Sequence, residues 1–218
     1  MNKTSALEPR RGGRPSREEA GQIEERILDA AAALFFTEGY GLTSIEKIAK
    51  QAQISKRTFY ARFNDKAALF QAVVHRVIEK LRPKGGANAT DQLFTGQSLE
   101  EILYKLAPIV LRAALSAESL ALHRIVLAEA IRFPELAMIM HEQGGRNEAI
   151  ARFTALFEQD AKATKRPITN AAFKAEQFLF MLTAAPQRRA LGLGIPLKES
   201  ELSPWAKNTV DLFLNGFR

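Results

Sequence analysis

Lys56, Arg57, Tyr60 and Arg62 stand close together in the stretch AQISKRTFYARF (residues 52–63), with no carboxylate between them. A solvated helix surface more often mixes Glu with its Lys and Arg, so an acid-free group of cations beside a phenol suits an anionic partner. Lys and Arg neutralise phosphates, and they also reach the O6 and N7 edge of guanine. The Tyr60 hydroxyl can donate to a phosphate oxygen, and Ser55 opens the segment as an N-cap whose helix end can receive an anion. The alternative is a solvated basic face on an ordinary helical bundle. The neighbouring elements decide between the two.

Ser16 and Glu19 make a capping-box pattern ahead of Ile23, Ile27, Ala31, Leu34 and Phe35, which recur at helical spacing until Gly39 ends the run. Thr43 and Glu46 make a second box, and Ile45, Ile48, Ala49 and Ala52 mark the inner side of a short helix. In the helix that Ser55 opens, Phe59 and Phe63 face inward at i, i+4, which leaves Lys56, Arg57, Tyr60 and Ala61 outside. A fourth helix starts near Asn64 or Asp65 and carries Leu69, Phe70, Val73, Val77 and Leu81 up to Pro83. Two short helices joined by a few residues, with small Ala49 where their axes approach, predict a helix-turn-helix whose second helix enters the DNA major groove. Lys66, at the start of the fourth helix, is placed to touch the DNA backbone on the flank.

The charge agrees with that reading. Of the net +7, most sits in residues 1–82, which hold 15 Lys and Arg against 10 Asp and Glu. Such a balance favours an anionic partner, nucleic acid or a membrane surface, and the helix-turn-helix makes double-stranded DNA the expected one. There is no cysteine, hence no disulfide or thiolate metal site, and no HExxH pair, GxSxG turn or glycine-rich phosphate loop. No catalytic set, metal or cofactor is expected. Lys105, Arg112, Glu118 and Arg124 interrupt the most apolar region, so no membrane span is predicted and the chain reads as cytoplasmic.

The stretch GLTSIEKIAKQAQISKRTFYARFNDKAALF (residues 41–70) resembles the DNA-binding region of TetR-type transcriptional regulators. The resemblance rests on Thr43, on Ser55, Lys56, Thr58, Phe59, Tyr60 and Phe63, and on Lys66 with Leu69 and Phe70. It implies backbone contacts from Thr43, Tyr60 and Lys66, with Lys56, Arg57 and Thr58 nearest the bases. Gln53 stands where that family often has Gly, and Ala61 where a larger aromatic or basic residue is common; a strained or reshaped turn is expected at Gln53.

Four segments follow: a basic arm at 1–15, whose Arg14 can enter an A·T-rich minor groove; the DNA-binding region at 16–66; a connecting helix at 67–82; and a ligand-binding and dimerisation region at 83–218. Residues 83–97 read as a linker. Beyond it, helices are expected near 98–116, 117–132, 134–162, 170–191 and 203–217, with Pro134 and Pro204 in first turns and with Pro108 and Pro186 inside apparent helices that they should kink or interrupt. The fold class is all-α, with about nine helices. The segment AFKAEQFLFMLTAA (172–185) is apolar on nearly every face, which fits burial on both sides. A homodimer interface is therefore expected from Phe173, Phe180, Trp205, Val210, Phe213 and Phe217, the alternative being the core of a monomer. The last two long helices commonly form that interface in TetR-type regulators. LHRIVLAEAIRFPELAMIMHEQGG (122–145) resembles the C-terminal region of the AefR-like subgroup. Its polar groups among apolar ones suit a small-molecule effector site, with His123, Glu129, Phe133, Met138 and His141, joined by Phe178 and Met181, as expected lining. The function expected is a repressor released from a palindromic operator by a small hydrophobic or amphipathic ligand. The alternatives are an activator or ligand-independent regulator, and a helical binding protein or enzyme.

Overall fold

The computed structural model describes residues 17–82 and 97–216. Arg14 and the rest of the basic arm, the Ser16 cap, most of the 83–97 linker and Phe217 lie outside the described residues. The described chain is helical, and no strand occurs among the described residues.

Helix α1 (Arg17–Glu38) presents Ile27, Ala31, Leu34 and Phe35 inward and ends at Gly39, whose φ of 87° is the left-handed conformation a C-terminal glycine supplies. Next come α2 (Ile45–Gln51), α3 (Lys56–Tyr60) and α4 (Lys66–Leu81). Each of the three opens on a side-chain cap, from Ser44, Ser55 and Asp65 respectively. The α2 cap corrects the sequence expectation by one residue, because Ser44 rather than Thr43 accepts the Lys47 N–H.

The remaining elements are α5 (Leu99–Ala114), α6 (Ala117–Glu129), α7 (Pro134–Gln143), α8 (Gly145–Thr164), α9 (Ala171–Arg188), a π-helical turn (Arg189–Leu193) and α10 (Glu199–Asn215). The helix expected over 134–162 is two helices. Gly144 is extended at φ −65° and ψ 142°, and the Gly144–Gly145 pair has little propensity to hold a helix across the break. Helix α10 begins at Glu199, ahead of its expected start, so Pro204 falls inside it. Pro108 and Pro186 do lie within α5 and α9, but neither interrupts its helix. Having no N–H, Pro186 leaves the Leu182 carbonyl without its helical donor, and the Trp205 indole N–H donates to that oxygen at 3.0 Å.

Two apolar cores result. The first joins α1–α4 to α6 and α7, with Phe35, Phe59, Phe70, Val73 and Val74 packed together with Leu122, Ile125 and Leu136. The second joins α5 and α8–α10 through Leu103, Leu111, Phe153, Phe157, Phe178, Leu182 and Val210. The residues of α6 and α7, grouped by sequence with the C-terminal region, thus share a core with the N-terminal head. Among the described residues no helix is long and apolar enough to cross a membrane.

Candidate nucleic-acid interface

The turn between α2 and α3 is closed by two backbone bonds, Ile54 N–H to Ala49 O at 2.9 Å and Gln53 N–H to Lys50 O at 3.2 Å. This is the Schellman arrangement, which needs a left-handed residue, and Gln53 supplies it at φ 54°. The strain expected at Gln53 therefore has a location: a side chain sits where glycine is unstrained, at a cost of about 1 kcal/mol. Ser55 then caps α3, its Oγ accepting the Thr58 N–H at 3.1 Å and lying 2.8 Å from the Thr58 hydroxyl.

Phe59 and Phe63 point into the first core with ring centroids 5.8 Å apart. Their burial turns Lys56, Arg57, Tyr60 and Ala61 to solvent. Tyr60 is 53% exposed and packs edge-on against Phe59, which holds the phenol outward. Among the described residues no hydrogen bond or ion pair engages the Arg57 guanidinium or the Tyr60 hydroxyl. Both are free to meet a ligand. Lys50, exposed on the last turn of α2, adds a cation beside the turn that the helix-three motif did not single out.

The acid missing from the 52–63 segment comes from α2. Glu46 forms an ion pair with Lys56 across the helix-turn-helix, both side chains being well exposed. The bond to Lys56, with help from the Glu46 and Ser44 groups around it, holds the Glu46 carboxyl down to about 2, and Lys56 is raised in turn. A phosphate approaching Lys56 must compete with this carboxylate.

Three other expected contacts are turned inward. Thr43 is 1% exposed and its hydroxyl donates to Gly39 O at 2.7 Å, so it braces the α1–α2 loop. The Lys66 ammonium donates to Tyr40 O at 2.8 Å and Thr43 O at 3.0 Å and lies 4.3 Å from the Tyr40 ring centre. Burial lowers its pKa, against the pull of Glu129 and Glu135. Arg62 is half-buried, donating to Thr58 O and to Ala20 O on α1, both at 3.4 Å. These residues brace the loops around α2 and α3, and a phosphate would have to draw Lys66 or Arg62 off its carbonyls.

The exposed face of α3 and the turn before it can now be set beside known proteins. The family described as "Bacterial regulatory proteins, tetR family" matches residues 27–73, and "AefR-like transcriptional repressor, C-terminal domain" matches residues 101–218, more than half of the chain. The chain belongs to the TetR family. It is a DNA-binding transcriptional regulator and not an enzyme. A TetR-family structure from Mesorhizobium loti MAFF303099 superposes with a TM-score of 0.74 at 28% identity, over 92% of this chain and 98% of that one. The flavonoid-responsive regulator FrrA gives 0.69 at 30% identity, over 89% of this chain and 96% of its own. The Escherichia coli K12 regulator UidR is 28% identical over 149 residues, 66% of this chain and 68% of UidR. Two further curated relatives match over shorter stretches, Bacillus subtilis YuxN at 39% identity over 57 residues and Shigella flexneri AcrR at 37% over 60, and the chain spans 20% and 28% of their lengths.

The regulator's expected effector-site residues do not come together. Glu129 and Phe133 lie against the α1–α2 loop of the head: the Glu129 carboxylate accepts N–H bonds from Tyr40 at 2.7 Å and Gly41 at 2.6 Å, and the Phe133 ring meets Tyr40 edge-on at 5.1 Å. Met138 and His141 are exposed on α7, and the His123 ring nitrogen is 2.8 Å from Ser119 O on its own helix. Phe178 is fully buried in the second core, with Met181 half-buried on the same helix. Sequence reasoning missed the Glu129 contact because its partners are backbone amides 88 and 89 residues away. The one signal present was an acid on the last turn of a helix, where the dipole favours a base.

The expected interface residues also divide. Val210 is fully buried, Phe213 packs on Phe157 and Phe178 at 5.5 and 5.0 Å, and Trp205 is tied to Leu182. These three complete the chain's own second core. Phe173 and Phe180 remain exposed on α9, at 60% and 43%. Beside them a groove of about 480 Å³ runs along α8, lined by Ile150, Ala151, Thr154, Ala155 and Ala172 among others.

Proposed function

We propose that this regulator acts in the cytoplasm as a homodimer that represses transcription from a palindromic operator and is released by a small apolar or amphipathic molecule. The observation that carries the DNA half is the exposed face of α3, where Arg57 and Tyr60 are held outward with no hydrogen-bond or ion-pair partner among the described residues and Lys56 is within reach. In this reading Arg57, Lys56 and Thr58 read base edges while Tyr60, Ser55 and Lys50 hold phosphates. Two copies would present two such helices about one duplex turn, roughly 34 Å, apart. Dimerisation is supported by Phe173 and Phe180, exposed on a helix bordering the small-residue groove of α8. The AefR-like match is described as a repressor, and FrrA is described as flavonoid-responsive. The first supports repression, and the second supports a flat, largely apolar effector.

A regulator that senses no ligand is the second reading, and the scatter of the expected lining residues between two cores favours it. A competition experiment separates the two: operator duplex bound to the full chain, challenged with a panel of flavonoids and other planar aromatic compounds. Release by one of them at a concentration that leaves the fold intact supports the effector reading. Unchanged occupancy across the panel and across fatty acids supports the ligand-independent one.

A further inference from the structure

The contact between α6 and the head has more in it than packing. The Glu129 carboxylate bridges two successive backbone N–H groups, those of Tyr40 and Gly41, in the loop that leads directly into α2. Gly41 has no positive φ and needs no glycine for its backbone, yet a Cβ there would fall 2.7 Å from Glu129 Oε2 and 3.1 Å from the Phe133 ring. The absent side chain makes room for the carboxylate. Around it, Glu135 accepts from the Tyr40 hydroxyl at 3.3 Å, and the Lys66 ammonium reaches over both the Tyr40 and Phe133 rings while holding the Tyr40 and Thr43 carbonyls. Three residues from the start of α7 and the end of α6 thus hold one loop, from above and from the side.

We propose that Glu129 is a positioning residue for sequence-specific DNA binding, fixing the angle at which α2 and α3 are presented relative to α6 and α7. The proposal rests on the reading of α3 as the base-contacting helix. The carboxylate touches no DNA; it acts through the loop. A two-acceptor group on two adjacent amides restricts rotation of the loop as a single bond cannot, and α2 begins at Ile45, just beyond it. Base readout needs both helices of a dimer in register at once, whereas phosphate attraction tolerates a range of angles. Losing the contact should therefore harm specific binding and spare non-specific binding.

The test uses the full chain, an operator duplex selected from a random library, and a scrambled duplex of equal length. Glu129→Gln keeps the shape but offers an amide N–H to one of the two N–H groups, and should weaken operator binding about tenfold, within the usual range of coupling between sites. Its affinity for the scrambled duplex and its salt slope should stay unchanged. Gly41→Ala attacks the same contact from the head side, with a permitted backbone, and should reproduce the loss even if Glu129→Gln folds poorly. Combined, the two changes should add little beyond either one, as expected for groups acting through a shared contact. Operator affinity within twofold of the parent in both variants would overturn the proposal. Equal weakening on both duplexes would overturn it too, by assigning Glu129 a general electrostatic or stability role. Arg57→Ala is measured alongside. If it also leaves operator affinity unchanged, the reading of α3 has failed; if it alone weakens the operator, only the positioning role has.

Discussion

The head and the half built from α5 and α8–α10 place their side chains by different means. On α3, one cap and two inward phenylalanines four residues apart settle which way Lys56, Arg57 and Tyr60 point. Nothing distant is needed, so spacing alone gives the answer. In the other half, Phe178, Val210 and Phe213 turn into the core while Phe173 and Phe180 stay outside, although all five are apolar residues on α9 and α10. There the facing of each helix depends on which others pack against it. A function carried by one short capped helix is local; a cavity or an interface is a property of the assembled bundle.

The largest effect expected from this contrast is on stability. Phe178→Ala should cost about 3–5 kcal/mol, the usual range for removing a buried phenylalanine. In hydrogen exchange the amides of α5 and α8–α10 should open first, with α1–α4, α6 and α7 still protected. Simultaneous opening of all helices would show that the two cores are one cooperative unit.

Within the head, Arg57→Ala should lose about 1–3 kcal/mol of discrimination at particular base pairs, read from competition between single-position operator variants. Tyr60→Phe should weaken every duplex alike, since it removes only a hydroxyl aimed at phosphate. A uniform loss from Arg57→Ala would place that guanidinium on the backbone instead.

Gln53→Gly isolates the turn. It should stabilise the chain by up to about 0.5 kcal/mol in urea unfolding, because relief of the left-handed strain is only partly offset by the added freedom of the unfolded chain. Gln53→Val should move the other way.

Glu46→Gln should have the smallest effect. Freeing Lys56 from its ion pair should strengthen binding to all duplexes a few-fold and steepen the salt dependence by about one phosphate contact. Stability should barely change, as exposed pairs contribute little.

Much of the head was legible in the sequence because its signals are short-range. The inward phenylalanines and the Ser55 cap follow from spacing and local backbone rules, while the special position of Gln53 is implied by the TetR-type resemblance alone. The inward turn of Thr43, Lys66 and Arg62 was not legible, since each bonds a carbonyl whose position depends on folding: Gly39, Tyr40 with Thr43, and Ala20 with Thr58. The Glu46–Lys56 pair joins two helices across the turn and escaped a reading made one segment at a time. Glu129 was assigned to an effector site because an acid among apolar residues looks the same whether it faces a ligand or a backbone amide. Pro186 shows the reverse case: its broken helical bond was foreseeable, but not that Trp205 would repair it and so leave the expected interface.

The measurement that tests the central claim most directly is selection of bound duplexes from a random library by the purified full chain, with the protected length recorded. The expected result is an inverted repeat whose half-site centres lie about one duplex turn, roughly 34 Å, apart, and whose consensus loses definition when Arg57 is replaced by Ala. Retention of duplexes with no shared sequence, or a consensus that Arg57→Ala leaves intact, would contradict it.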